Sequence, residues 1–309
     1  MNEHSHVYDL IIVGAGPAGI TAAVYAARKK MDFLVITTNV GGQVVLSSEI
    51  ENYTGFQYIS GDELGAKFQE HLEKYDFDVK MEEVEKIDQG RNFFRVTSMV
   101  GAYLCSTAII ATGRKPRELN VPGEIDFKNR GVTYCATCDG PLFEGLDVAV
   151  VGGGNSGLEA VLQLIKIAKS VYLLHRRSEF RADTVLVEKV RASGKVKILT
   201  NAQVEEIVGD KLVTGIRLQQ NGEEKQLDVQ GVFVEIGAVP NSDVAGFVGK
   251  NNIGEIIVNC KCETDIPGLF AAGDVTNVPE KQIVVAAGEG CKAALSAFRY
   301  LSQSSSVSP

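Results

Sequence analysis

Residues 8–38 read "YDLIIVGAGPAGITAAVYAARKKMDFLVITT", and this stretch decides the fold. The unbroken apolar run Leu10–Val13 predicts a strand buried on both faces. Gly14-Ala15-Gly16-Pro17-Ala18-Gly19 follows, then a helical run, and a second apolar strand, Phe33–Ile36, completes a βαβ unit. Gly14 permits the tight turn, Gly16 lets the backbone approach a pyrophosphate, and Gly19 allows the helix to pack closely on the strand. The helix N-terminus then turns its unpaired N–H groups and positive dipole end toward phosphate. In this strand–turn–helix context the pattern indicates a dinucleotide site rather than a glycine-rich structural turn.

The pattern recurs over residues 146–177, "LDVAVVGGGNSGLEAVLQLIKIAKSVYLLHRR", with Gly152, Gly154 and Gly157 in the three glycine positions and Val171–Leu174 as the closing strand. Two such units imply two dinucleotides, or one site and one relic. About 20 residues beyond the last glycine, where an NAD-preferring fold carries an acid for the ribose hydroxyls, this chain has Arg176 and Arg177, with Arg181 close by. Guanidinium groups match phosphate oxygens bidentately, which favours NADPH in this half over a merely solvated basic turn. The first unit also lacks the acid, offering only Thr37, Thr38 and Asn39. Two further apolar strands end in small or acidic residues, "AIIATG" (108–113) at Thr112-Gly113 and "GLFAAGDV" (268–275) at Gly273-Asp274. An acid at a strand end accepts hydrogen bonds from sugar or ribityl hydroxyls. If the piece near Asp274 joins the sheet begun at Leu10, the second unit is an insertion with two chain crossings.

The bounds on class come from composition. A chain of 309 residues with 45% hydrophobic and 23% charged residues is globular and long enough for two domains. The net charge of −8 argues against a nucleic-acid backbone or an anionic membrane as partner. No apolar run approaches the roughly 18 residues of a membrane span, and "MNEHSHVYDL" has no leader pattern, so a cytoplasmic location is expected. The polar tail "SQSSSVSP" (302–309) is expected to be disordered.

Six cysteines, irregularly spaced, do not form a disulfide framework. The stretch "CATCDG" (135–140) therefore reads as a zinc half-site or a redox pair. Zinc needs four ligands, and Cys260 and Cys262 lie in "EIIVNCKCET", which reads as a strand with both thiols on one face. No second CxxC exists, so no metal is expected. Cys105, Cys260, Cys262 and Cys291 read as small buried hydrophobes. A CxxC at the start of a helix has lowered thiol pKa values, and Asp139 is placed for general acid–base work or as a turn acid.

The sequence resembles the low-molecular-weight thioredoxin reductases and the flavoprotein body of the alkyl hydroperoxide reductases. The resemblance runs from Tyr8 to about Leu301 and includes both glycine units, "GGQVVLSSEIENYTGF" (41–56), "GVTYCATCDGPLFEG" (131–145), "HRRSEFRA" (175–182) and "GLFAAGDVTNVPEKQIVVAAGEGCKAALSA" (268–297). It implies an α/β chain of two Rossmann-like dinucleotide-binding domains, of the two-dinucleotide-binding flavoprotein superfamily. A discontinuous FAD domain (1–115 and 245–309) would hold an inserted NADPH domain (116–244) that carries the CxxC. Gly14, Gly16, Gly19, Gly42, Gln43, Asn52, Thr112, Asp274 and Gln282 would contact FAD; Gly152, Gly154, Ser156, Gly157, Arg176, Arg177 and Arg181 would contact NADPH. The resemblance further assigns Cys138 to the flavin side and Cys135 to attack on a thioredoxin disulfide, and implies a homodimer. It also supports rotation of the inserted domain about hinges near Thr112–Leu119 and Ala238–Val244.

"HRRSEFRA" is similar to the NADPH-using thioredoxin reductases. "GGGNSGLEA", "KCETDIPGLFAAGD" and "VPEKQI" are closer to the hydroperoxide reductase body. Only seven residues precede Tyr8, leaving no N-terminal thioredoxin-fold module, so an external carrier is expected. The alternatives are a flavoprotein serving a peroxiredoxin-like or glutaredoxin-like carrier, an enzyme with NADH or a non-nicotinamide donor, and a dinucleotide-sensing module with an idle dithiol.

Overall fold

The computed structural model describes residues 6–47 and 50–304. The chain divides into two compact units, one formed by Met1–Lys115 with Val239–Pro309 and the other by Pro116–Ala238.

In the first unit the elements are β1 (Val7–Ala15), α1 (Pro17–Arg28), β2 (Phe33–Val40), α2 (Gly61–Glu73), β3 (Asp78–Met81), β4 (Val84–Gln89), β5 (Phe94–Ser98) and β6 (Ala102–Ile110). The chain leaves through β7 (Arg114–Pro116). The sheet order is β3-β2-β1-β6-β5-β4. Strand β1 lies between two parallel neighbours, β2 and β6, which is why Leu10, Ile11 and Ile12 are all fully buried and the run does not alternate. Leu10 and Ile12 face one apolar layer with α1; Ile11 and Val13 face another with Leu34 and Ile36.

The second unit contains β8 (Val132–Thr133), α3 (Ala136–Asp139), β9 (Asp147–Val151), α4 (Asn155–Leu164), β10 (Ser170–His175), α5 (Thr184–Ala192) and β11 (Val196–Thr200). The antiparallel meander β12 (Ala202–Gly209), β13 (Val213–Gln220) and β14 (Glu223–Asp228) follows, then β15 (Gly231–Val234). Its five-stranded sheet has the order β11-β10-β9-β15-β8 and is parallel throughout. The helices α4 and α5 cover one face and the meander covers the other. Strand order reverses between β9 and β15, where open α/β sheets carry ligands at the carboxyl ends of the strands.

The return passes through β16 (Ala238–Pro240), which pairs with β7. Back in the first unit, β17 (Leu269–Ala271) pairs in parallel with the second half of β6, and α6 (Ile283–Ser304) packs on α1. The second unit is thus an insertion with two crossings. The return crossing falls at Ala238/Val239, earlier than the expected 244/245. Asn241 explains this, because its amide N–H donates to the Gly113 carbonyl (2.9 Å), its side chain to the Thr112 carbonyl (2.9 Å), and its own carbonyl accepts from Thr112 Oγ1 (2.7 Å).

Two expectations are corrected. "EIIVNCKCET" is a turn, not a strand: Asn259 Oδ1 accepts the N–H groups of Lys261 (2.8 Å) and Glu263 (3.1 Å), and Cys262 adopts φ +63°. Cys260 is consequently exposed and Cys262 buried, and Cys291 is half-buried. The tail expected to be disordered begins inside α6, which extends to Ser304; residues 305–309 lie outside the described residues. Among the described residues no helix is long and apolar enough to cross a membrane.

Candidate nucleotide sites and redox centre

The two glycine turns use their glycines alike. Gly14 (φ +101°) and Gly152 (φ +149°) adopt backbone angles that favour glycine, and a Cβ on Gly19 or Gly157 would collide with the carbonyl of Gly14 or Gly152. The middle glycines differ. A Cβ on Gly16 would have nothing nearer than Gly42 Cα at 3.9 Å, and one on Gly154 would meet nothing within 4 Å. Protein packing therefore requires the outer glycines and leaves open space at the middle ones.

The helix ends point the same way. α2 begins with a complete capping box, Ser60 with Glu63, and has Asp62 and Glu63 in its first turn. In contrast, α1 and α4 start at Gly16 and Gly154, with no side-chain cap and no acid in the first turn. Their N-terminal N–H groups and positive dipole ends are left for an anion from outside the chain.

In the first unit, several expected residues converge through hydrogen bonds. Gln43 Nε2 donates to the Arg114 carbonyl, Arg114 Nε lies 3.4 Å from Asp274 Oδ2, and Asn52 Nδ2 donates to Gln282 Oε1 at 3.3 Å. Gly42 N–H donates to Asn39 Oδ1 (2.9 Å), and Thr37 is buried with its hydroxyl accepting the Ala15 N–H (3.1 Å). The segment that lacks a ribose-binding acid thus braces the glycine turn. Glu289, which is not among the expected site residues, is buried and accepts the Gly273 N–H at 3.1 Å, holding the turn that carries Asp274. Lys281 donates to the Thr276 carbonyl and pairs with Glu255 at 2.8 Å.

Burial raises the Asp274 pKa above its ordinary value, with Arg114 and then Lys281 opposing the shift. With the folded pKa above the unfolded one, the native state holds more protons between them, so stability falls as pH rises through that window and stays lower at neutral pH. Asp274→Asn removes this penalty. The flavin-free variant is expected to melt higher than wild type at pH 7 while binding FAD more weakly; thermal melts at pH 4–8 check it, and an unchanged pH profile would refute the assignment.

In the second unit the arginine loop folds back onto the glycine turn. Arg181 N–H donates to the Gly153 carbonyl (2.8 Å), and Asn155 and Asp183 exchange hydrogen bonds at 2.8 and 3.0 Å. His175 is buried beneath Gly153, where a Cβ would strike its ring; its Nε2 meets the Glu179 carbonyl at 2.8 Å and the ring stacks on Phe180. His175 and Phe180 anchor the loop, while Arg176, Arg177, Arg181 and Ser156 are exposed. None of the three arginines pairs with a carboxylate among the described residues.

Cys135 and Cys138 form a disulfide, with Cα atoms 5.3 Å apart. Cys135 is the N-cap of α3 and its Sγ accepts the Cys138 N–H at 3.1 Å. The expected helix is a four-residue turn running into a 3₁₀ turn, so this individual N–H, rather than the end of a long helix dipole, is what faces the Cys135 sulfur. Thr133 Oγ1 donates to Asp139 Oδ2 and accepts the Cys135 N–H (3.2 Å), linking the acid to the disulfide. Two residues that are not among the expected site residues hold Ala136: Glu235 Oε1 accepts its N–H (3.2 Å) and Gln163 Nε2 donates to its carbonyl (3.0 Å). Burial pushes the thiols of Cys105 and Cys262 up to about 12, which leaves them unreactive. Among the described residues no three His, Cys, Asp or Glu side chains gather as a metal site.

A family model described as pyridine nucleotide-disulphide oxidoreductase matches residues 8–290. The chain belongs to this family. This oxidoreductase is 46% identical over 298 residues to the NADH dehydrogenase of Bacillus subtilis (strain 168), covering 95% of this chain and 58% of that protein. It is 44% identical over 303 residues to an alkyl hydroperoxide reductase component of Escherichia coli (strain K12), again covering 95% and 58%. The chain thus spans less than two thirds of the length of these curated relatives. Among solved structures it resembles thioredoxin reductase from Streptococcus pyogenes MGAS5005, with TM-score 0.91 and 38% identity over 96% of this chain and 99% of that one. Thioredoxin reductase from Giardia duodenalis gives TM-score 0.90 and 33% identity, covering 97% of this chain and 100% of the other. Membership in the oxidoreductase family implies a flavin and a pyridine nucleotide. The open middle glycines and uncapped helix ends fit two pyrophosphates.

Proposed function

We propose that the chain is an FAD-dependent reductase of a thioredoxin-type protein disulfide, with NADPH as donor. The carrying observation is the Cys135–Cys138 disulfide, seated in a chain that matches a thioredoxin reductase over 99% of that structure. The first unit holds FAD through Gly14, Gly16, Gly19, Gly42, Gln43, Asn52, Thr112, Asp274 and Gln282. The second holds NADPH through its glycine turn, Ser156 and the three arginines. The reductase resemblance supports a cytoplasmic homodimer.

Bound FAD supplies the exchange between hydride and thiol chemistry. The overall reaction is NADPH + H⁺ + thioredoxin disulfide → NADP⁺ + thioredoxin dithiol. The chain's own disulfide takes two electrons and opens to two thiols. Cys135, its sulfur facing the Cys138 N–H, then attacks the partner disulfide as the thiolate. Cys138 resolves the mixed disulfide, re-forming Cys135–Cys138 and releasing the partner dithiol. Asp139, next to Cys138 along the chain and hydrogen-bonded to Thr133, exchanges the proton of the departing or incoming thiol.

A second reading, a flavoprotein feeding a peroxiredoxin-related carrier, draws support from 44% identity to the alkyl hydroperoxide reductase component. Anaerobic stopped-flow with NADPH and NADH, followed by turnover with each carrier, separates the two. Rapid flavin bleaching by NADPH and turnover with thioredoxin are expected; bleaching by NADH alone, with turnover only through the other carrier, would reverse the order. Charge removal provides a sharper check. Arg176→Ala with Arg177→Ala is expected to raise KM for NADPH by about 10- to 100-fold, two guanidinium–phosphate contacts' worth, and to leave KM for NADH within about twofold.

A further inference from the structure

Both peptide groups that flank the Ala136 Cα are tied to elements that frame the glycine turn of the second unit. The Ala136 N–H is held by Glu235 Oε1 at 3.2 Å, and the Ala136 carbonyl by Gln163 Nε2 at 3.0 Å. Glu235 directly follows β15, and its N–H continues the ladder to the Val151 carbonyl at 2.8 Å. Its own carbonyl lies where any side chain on Gly152 would fall, so the Glu235 backbone is one wall of the glycine turn. Gln163 lies near the end of α4, whose first turn is the other wall. The Glu235 main chain therefore stands at the switch point between β9 and β15, while its carboxylate reaches the residue next to Cys135.

We propose that Glu235 is a positioning residue that couples the nucleotide crevice to the redox turn, so that nucleotide occupancy shifts the Cys135–Cys138 dithiol–disulfide equilibrium. The inference rests on the reading that the second unit takes a pyridine nucleotide. A ligand seated on the glycine turn fixes the end of β15 and the start of α4 together. The two tethers then act on the successive peptide groups either side of the Ala136 Cα, between Cys135 and Cys138, and movement there alters the separation and solvation of the two sulfurs. The coupling is reciprocal: reduction of the disulfide changes nucleotide affinity by the same factor.

The test equilibrates holoenzyme in a glutathione buffer, where disulfide + 2 GSH ⇌ dithiol + GSSG, with and without saturating NADP⁺ or NAD⁺. Acid quenching, alkylation and mass analysis give the dithiol fraction. Wild type is expected to shift its equilibrium constant by about fivefold or more, roughly 20 mV for a two-electron couple. Glu235→Gln, which keeps an oxygen acceptor, is expected to retain the shift, and Glu235→Ala to reduce it below about twofold. Equal shifts in wild type and Glu235→Ala would overturn the proposal, as would no shift in wild type while calorimetry shows the nucleotide bound. If calorimetry shows neither nucleotide binding wild type, the underlying nucleotide reading fails instead.

Discussion

Cys138→Ser is expected to lower NADPH-dependent disulfide turnover by about 10³-fold or more while flavin bleaching by NADPH proceeds at nearly the wild-type rate. In the proposed mechanism the Cys135–Cys138 dithiol holds the two electrons between the halves of the reaction; serine cannot complete that dithiol–disulfide couple, and Cys135 alone leaves a mixed disulfide with no internal thiol to resolve it. The measurement pairs anaerobic stopped-flow absorbance with steady-state thioredoxin reduction. Turnover within tenfold of wild type would mean that another thiol carries the electrons. Buried Cys105 and Cys262 cannot reach a protein partner, leaving exposed Cys260 and half-buried Cys291 as the residues to test next.

The second large effect distinguishes two glycines three positions apart. Gly157→Ala drives a methyl group into the Gly152 carbonyl, where the contact is backbone and cannot rotate away. A loss of about 3 kcal/mol or more in stability is expected, visible as a depressed melting temperature or failure to accumulate. Gly154→Ala meets no protein atom within 4 Å. It is expected to fold with a melting temperature within about 2 °C of wild type, yet, on the proposed NADPH site, to raise KM for NADPH by about tenfold or more, because the methyl would occupy the space that the proposal assigns to the pyrophosphate. If Gly154→Ala left KM unchanged, the second glycine turn would be a relic rather than a site.

The pieces that the sequence discloses are those whose physics is local. An apolar run such as Leu10–Val13 must be buried on both faces, and Gly14 and Gly152 have backbone angles that only glycine adopts freely, so both βαβ units are readable from their own residues. The arginine loop is readable for its charge, but not for the His175 and Phe180 anchors that dock it, because those depend on a ring fitting beneath Gly153. "EIIVNCKCET" misleads for a related reason. Its alternation suits a strand, yet Asn259 offers the backbone a competing partner and the chain turns there. Neither Glu235 nor Gln163 is singled out by any sequence pattern; they matter because the fold brings positions 99 and 27 residues away to Ala136. Glu289 lies inside a quoted stretch, yet the role of its buried carboxylate is set by the turn it faces and is not legible from the pattern.

The pairing of β7 with β16 has a consequence for how such a chain is assembled from parts. Arg117 N–H donates to the Gly237 carbonyl at 2.9 Å, so the inserted segment enters and leaves at one hydrogen-bonded ribbon. A segment with touching ends can be spliced into a host gene, or lifted out of it, at a single point, and neither product has to stretch its backbone to close. Residues 116–238 therefore have the topology of a cassette, and the host sheet, already joined through β6 and β17, keeps its continuity around the gap.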